Sequence, residues 1–189
     1  ARVYLPRGGA DLAAAYHRRG DDALRAWLAD TPPQGRFRDR ITQAVMQRLS
    51  LSDRELARAG AAIFALPQHA ALGAGLIWET ADTVWAGLGD RSQDVNWYSK
   101  RATLSAVYAA TVLYWLGDDS PDAGATHDFL DRRIDGVMRF EGFKGRLAAL
   151  PGVSALTRAA TGWIKAPAAR QPDAAWSGEP IPASDRGDA

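Results

Sequence analysis

Asp94–Leu116, DVNWYSKRATLSAVYAATVLYWL, is the stretch whose reading decides the fold. Its opening is polar and aromatic, with Asp94, Asn96, Trp97, Tyr98, Lys100 and Arg101, whereas the fifteen residues Ala102–Leu116 carry no charge. As a single helix, Val95–Leu116 would run about 33 Å at about 1.5 Å per residue. Its uncharged part falls short of the roughly 20 apolar residues that a membrane span requires. Leu104, Val107, Tyr108, Thr111, Val112 and Trp115 recur at spacings of three and four, and alanines between them leave no hydrophilic face. That pattern predicts a helix buried on most sides. An amphipathic start to a core helix and an outward-facing interaction surface both fit the opening. Two large aromatics beside an acid and a base favour the surface.

Outward from this helix, a chain of 189 residues is long enough for one domain with a sizeable core. Hydrophobic residues make up 47% and charged residues 24%, a globular balance, and seven tryptophans are many for this length. The absence of cysteine removes disulfides, thiolate catalysis and sulfur-ligated metals, and fits a reducing compartment. A net charge of +1 exerts no global pull toward nucleic acid or membrane. Three lysines accompany twenty arginines, alanine is abundant, and Ala1–Asp30 has no apolar run of a signal peptide. Bacterial cytoplasm is the expected location.

The first helix is expected after the turn Pro6–Gly9, with Leu12, Tyr16, Leu24, Trp27 and Leu28 on one face. VYLPRGGADLAAAYHRR resembles the junction between the DNA-binding headpiece and the connecting helix of TetR-type regulators, so a headpiece would lie before Ala1. Thr31–Gly35, TPPQG, must break the helix. Phe37–Leu49 follows, with Phe37, Ile41, Val45 and Leu49 at four-residue spacing. Ser52–Glu55 has the form of a capping box, flanked by a Leu51–Leu56 staple. Pro67–Leu88 is the next helix, with Leu72, Leu76, Ile77, Thr80, Val84 and Leu88 inward and Gly89 as a left-handed cap. Gly73 and Gly75 weaken it by about 1 kcal/mol each relative to Ala, which points to a close approach or to loose packing. After the central helix, Gly117 reads as a stop, Ser120 as an N-cap and Pro121 as the first residue of a helix running to about Phe140. His17, His69 and His127 are scattered and read as structural or surface residues.

Charge then changes. Asp90–Glu141 has nine acids against six bases, whereas Gly142–Pro172 has five bases and no acid. In the basic segment Phe143, Leu147 and Leu150 form one apolar stripe, Pro151–Gly152 breaks it, and Val153, Leu156, Ala160, Trp163 and Ile164 form a second, with Lys144, Arg146, Arg158 and Lys165 beside them. That is the pattern of an amphipathic helix lying on an anionic membrane. A last helix folded on the core, or a dimer contact, would use the same residues. The expected organisation is therefore a helical ligand-binding domain at 1–141, a basic membrane-associating helix at 142–165 and a disordered, proline-rich tail at 166–189.

No nucleophile elbow, phosphate-cradling glycine loop, HExxH or paired carboxylates are present. The reading is a binding module, neither an enzyme nor a holder of a cofactor or metal. Leu76, Trp78, Thr80, Val84, Leu104, Tyr108, Val112 and Trp115 are the candidate lining of a lipid pocket. An ordinary core would use the same residues. The ligand domain of a TetR-type transcriptional regulator without its headpiece is the alternative.

DVNWYSKRATLSAVYAATVLYWLGDDSPD, with HDFLDRRIDGVMRFE after it and LPQHAALGAGLIWETADTVWAGLGDRSQD before it, resembles the Coq-nine family of ubiquinone (coenzyme Q) biosynthesis. The resemblance covers about residues 66–141, with weaker support over Tyr4–Leu28. It implies an all-α, TetR-like bundle that does not bind nucleic acid and whose C-terminal amphipathic helix associates with membrane. A homodimer is expected because TetR-like folds usually pair through their last helices, and with the bacterial composition the expected place is peripheral on the inner membrane. It also implies binding of an isoprenoid quinone intermediate or other lipid and its presentation to the di-iron demethoxyubiquinone hydroxylase. The family's partner-binding patch falls on Asp94, Trp97, Tyr98 and Arg101.

Overall fold

Hydrophobic stripes, caps and breakers divide the described residues into six α-helices. The computed structural model describes residues 5–92 and 95–148, and the elements are α1 Gly9–Asp30, α2 Phe37–Ser50, α3 Arg54–Phe64, α4 Pro67–Gly87, α5 Val95–Leu116 and α6 Gly124–Ala148. A single 3-10 turn, Pro121–Ala123, precedes α6, and the described residues contain no strand. The fold is all-α, as the periodicity requires. α4 packs against α1, α3 and α5, and α5 packs against α4 and α6. The uncharged helix buries one face, with Leu104, Val107, Tyr108, Thr111 and Trp115, and leaves Leu113 and Tyr114 exposed, so it is not buried on most sides as its pattern predicts. Leu24 of α1, Val45 of α2, Val84 of α4 and Leu130 of α6 are almost wholly buried and belong to one core cluster.

Local chemistry accounts for most helix ends. Thr31 N–H returns to the Trp27 carbonyl at 2.8 Å before the two prolines. The Asp39 carboxylate accepts from Arg36 N–H at the start of α2. Gly89 has φ +82° and follows α4, where Asp90 N–H reaches the Trp85 carbonyl at 3.0 Å. This is the left-handed stop expected of that glycine.

Three expectations are corrected. Asp53, not Ser52, caps α3, accepting from Leu56 N–H at 2.9 Å. Ser52 is drawn away by Arg48, which donates to its hydroxyl at 2.6 Å, while Glu55 pairs with Arg58. Leu51 and Leu56 both remain exposed. Ser120–Pro121 begins the 3-10 turn, and α6 starts only at Gly124 because Asp122 and Ala123 take positive φ values of 53° and 55°. The α6 start is held by Asp118, whose carboxylate accepts from Thr126 N–H and the Thr126 hydroxyl. Finally, α6 does not end near Phe140. Its backbone continues through Gly142 to Ala148, so no break separates the first seven residues of the basic segment from the bundle.

Gly73 and Gly75 turn out to differ. A Cβ at Gly73 would sit 2.7 Å from the Phe64 Cβ of α3, whereas a Cβ at Gly75 would meet nothing within 4 Å. Gly75→Ala is therefore expected to stabilise by about 0.5–1 kcal/mol through helix propensity. Gly73→Ala is expected to lose up to about 2 kcal/mol net, because the Cβ forces α3 and α4 apart. Urea unfolding of the two variants checks the opposite signs.

Candidate functional site: an apolar cavity beside an aromatic patch

A cavity of about 230 Å³ opens between four helices. Phe37 and Ile41 come from α2, Trp85 from α4, Leu104 and Val107 from α5, and Ile134 and Val137 from α6, giving it apolar walls. Asn96, Ser99, Lys100 and Thr103, from the first turns of α5, add polar groups. Trp85 is fixed on two sides: its indole N–H donates to the Lys100 carbonyl at 3.1 Å, and its ring lies 5.2 Å from that of Phe37. Such a site suits an apolar molecule carrying a hydrogen-bonding group. At this volume, below the roughly 300–1,000 Å³ of drug-sized pockets, a long tail would extend beyond it.

Asp90 controls the polar end. One carboxylate oxygen accepts from Lys100 Nζ at 2.8 Å and from the Ser92 hydroxyl at 2.8 Å. The other accepts from Arg101 at 3.0 Å. Burial pushes the Asp90 carboxyl up, yet hydrogen bonds from Lys100, Ser92 and Arg101 outweigh it and hold the group down at about 2. A carboxylate depressed in the folded state stabilises the fold above its unfolded value, near 3.9. That contribution should disappear as pH falls from about 4 to 2. Acid unfolding followed by circular dichroism should show this loss, and Asp90→Asn should remove it from the profile.

On the other side of Asp90 lies an aromatic patch. Arg101 is only 2% exposed, donating to Asp82 at 2.5 Å and to Asp90, with its guanidinium 4.0 Å from the Trp97 ring centre. Trp97 meets the Trp78 ring at 5.9 Å and Tyr98 edge-on at 4.8 Å. Tyr98 is 38% exposed and Trp97 is half-buried. The surface expected of the α5 opening is thus largely two aromatic rings, and Arg101 supports them from below. Asp94 lies outside the described residues.

The candidate pocket residues are divided by the fold. Only Leu104 lines the cavity. Trp78 joins the aromatic patch instead. Leu76, Val84, Tyr108 and Trp115 are buried, with Val112 packed against the core. Thr80 donates to Asp21 at 2.9 Å within a buried polar network. Phe143, Lys144, Arg146 and Leu147 belong to the last turns of α6. Leu150, Val153, Leu156, Arg158, Trp163, Ile164 and Lys165 lie outside the described residues, as does the tail from residue 166. Sequence spacing offered no signal for Phe37, Trp85 or Ile134 as lining residues. Asp82 and Asp90 could have been suspected as the acids nearest to the α5 opening. Among the described residues, no helix is long and apolar enough to cross a membrane, and no group of three acidic or histidine side chains is arranged to hold a metal.

Fold and site together define an all-helical domain with an apolar cavity next to an aromatic patch. Residues 70–141 match the sequence model of the COQ9 family. It is 41% identical over 76 residues to the ubiquinone biosynthesis protein COQ9, mitochondrial, of Rattus norvegicus, covering 40% of this chain and 24% of the relative. The corresponding protein of Homo sapiens is 38% identical over the same length, with the same coverage. A longer alignment, to the Drosophila melanogaster protein, reaches 29% identity over 144 residues, covering 72% of this chain and 44% of the relative. The chain thus spans about a quarter to under half of the relatives it matches. These relatives are named mitochondrial, which overturns the expectation of a bacterial cytoplasm and bacterial inner membrane drawn from arginine and alanine usage. Codon-driven composition carries no information about the compartment in which a protein works.

Proposed function

We propose that the chain is a non-enzymatic accessory protein of ubiquinone biosynthesis that binds an isoprenoid quinone intermediate and presents it to the di-iron demethoxyubiquinone hydroxylase. The observation that carries this reading is the apolar cavity with polar groups at the start of α5, in a segment that matches the COQ9 family. A quinone ring has carbonyl acceptors for Ser99, Thr103 and Asn96 and an apolar body for Leu104, Val107 and Ile134. The isoprenoid tail is too large for the cavity and would remain in the bilayer. The basic, amphipathic segment from Gly142 onward, with Lys144 and Arg146 beside apolar Phe143 and Leu147, supplies membrane contact in this reading. Trp97 and Tyr98, braced by Arg101, dock the hydroxylase, and the redox chemistry belongs to that partner.

Native mass spectrometry with lipid extraction, on protein purified from a quinone-producing host, tests the proposal. Co-purified isoprenoid quinones would support it. A protein that emerges empty and also fails to bind anionic liposomes would sink it.

A further inference from the structure

Lys100 is the only ionisable side chain among the described residues that line the cavity. A lone lysine there would ordinarily attract a carboxylate or phosphate head. Here its ammonium is already committed to the Asp90 carboxylate at 2.8 Å and the Ser92 hydroxyl at 2.6 Å, with its charge also 5.1 Å from the Trp85 ring centre. The Asp90 side chain is 4% exposed, and its second oxygen is held by Arg101. The anion therefore cannot swing away without leaving two cations behind. Arg40 of α2 is the other cation close by. It sits over Phe37, donates one guanidinium nitrogen to the Leu88 carbonyl at 3.1 Å, keeps a buried Nε without a partner, and does not line the cavity.

We infer that the Asp90–Lys100 ion pair is a specificity determinant, which makes the cavity accept uncharged apolar ligands and reject anionic lipids such as fatty acids. An incoming carboxylate would have to leave water and compete for Lys100 with an anion that is already in contact with it. Burying a charge without a partner is costly. A neutral carbonyl or hydroxyl needs only hydrogen bonds, which Ser99, Thr103 and Asn96 have the chemistry to make. The inference rests on the cavity being a ligand site, as proposed above, and adds the ligand's charge class and the residues that set it.

The test is calorimetric titration of the full chain at pH 8 with two probes of equal chain length, decanoate and a decyl-substituted benzoquinone. The wild-type protein should prefer the neutral probe by at least about tenfold. Asp90→Asn frees Lys100 and should raise decanoate affinity by about tenfold. Because Asp90 also holds Arg101, a second variant, Lys100→Met, is measured alongside. It should leave decanoate affinity within about twofold of wild type, since the lysine is not available to anions. A tenfold fall of decanoate affinity in Lys100→Met, or equal wild-type affinity for both probes, would overturn the inference while leaving the ligand site standing. If wild type binds neither probe, the ligand-site reading fails, and the inference fails with it.

Discussion

Asp21→Ala is expected to lower the unfolding free energy by about 3–5 kcal/mol, the range for breaking one side of a buried ion pair. Asp21 on α1 and Arg48 on α2 are each 3% exposed. Arg48 Nε donates to Asp21 at 2.7 Å, and the rest of its guanidinium is spent on the His17 carbonyl at 2.9 Å and the Ser52 hydroxyl at 2.6 Å. Thr80 on α4 donates to the same Asp21 oxygen, and His17 lies 2.8 Å from that hydroxyl, so three helices meet at one carboxylate. Without Asp21 the arginine cannot turn to water, and its charge stays buried without an anion. The fold has even cleared a path for it. A Cβ at Gly20 would lie 2.6 Å from the guanidinium, which explains a glycine in the middle of α1.

Urea unfolding measures the loss, and the double variant Asp21→Leu/Arg48→Met should recover most of it by replacing both charges with apolar volume. A loss below about 1 kcal/mol would mean that solvent reaches the pair after all. His17 provides an independent readout. Burial lowers its pKa below 6.5 and Asp21 opposes that shift, so Asp21→Ala should move it further down, as followed by NMR titration. The sign has a consequence for stability: neutral His17 supports the fold above about pH 6.5, and that support is lost as pH falls through the depressed folded value.

Trp97→Ala is the second large effect. If the aromatic patch docks the hydroxylase as proposed, removing its half-buried indole should cost about 2–4 kcal/mol of complex stability, the range for an aromatic anchor. The cavity should keep its ligand, because Trp97 is not among its lining residues. Tyr98→Ala removes a ring that contacts both Trp97 and Trp78 and should weaken the complex less. Titration of the hydroxylase against each variant, with the decyl-benzoquinone probe as control, separates the two sites. Parallel loss of both affinities in Trp97→Ala would show that its contact with Arg101 holds α5 in place and that the ring is not a docking anchor. A complex unaffected by the change would remove the patch from the proposal.

Much of the architecture is legible in the sequence because helices are local objects. The uncharged run Ala102–Leu116, the TPPQG breaker and Gly89 each act through residues within a turn or two, and the structure reproduces their consequences in α5, the α1–α2 break and the end of α4. Local signals mislead where a neighbour within a turn gives the same group another use or the backbone another conformation. Ser52 has every local reason to cap α3, but Arg48 takes its hydroxyl and leaves Asp53 to serve. Pro121 marks a helix start that positive φ at the next two residues delays by a turn.

By itself the sequence determined that the fold is all-helical, that α5 carries a buried apolar face and that its opening turn differs in chemistry from the rest. Tertiary structure alone decided which buried side chains border empty space and which fill it. Periodicity identifies the inward face of a helix but cannot say whether the facing side chain touches it or stops short. Leu104 and Tyr108 occupy equivalent positions on α5, one turn apart, yet only Leu104 borders the cavity. The same holds for charge. Asp82, Asp90, Lys100 and Arg101 lie apart in the sequence until α4 and α5 pack together, and Coulomb attraction around the buried Asp90 and Arg101 side chains then makes them one unit.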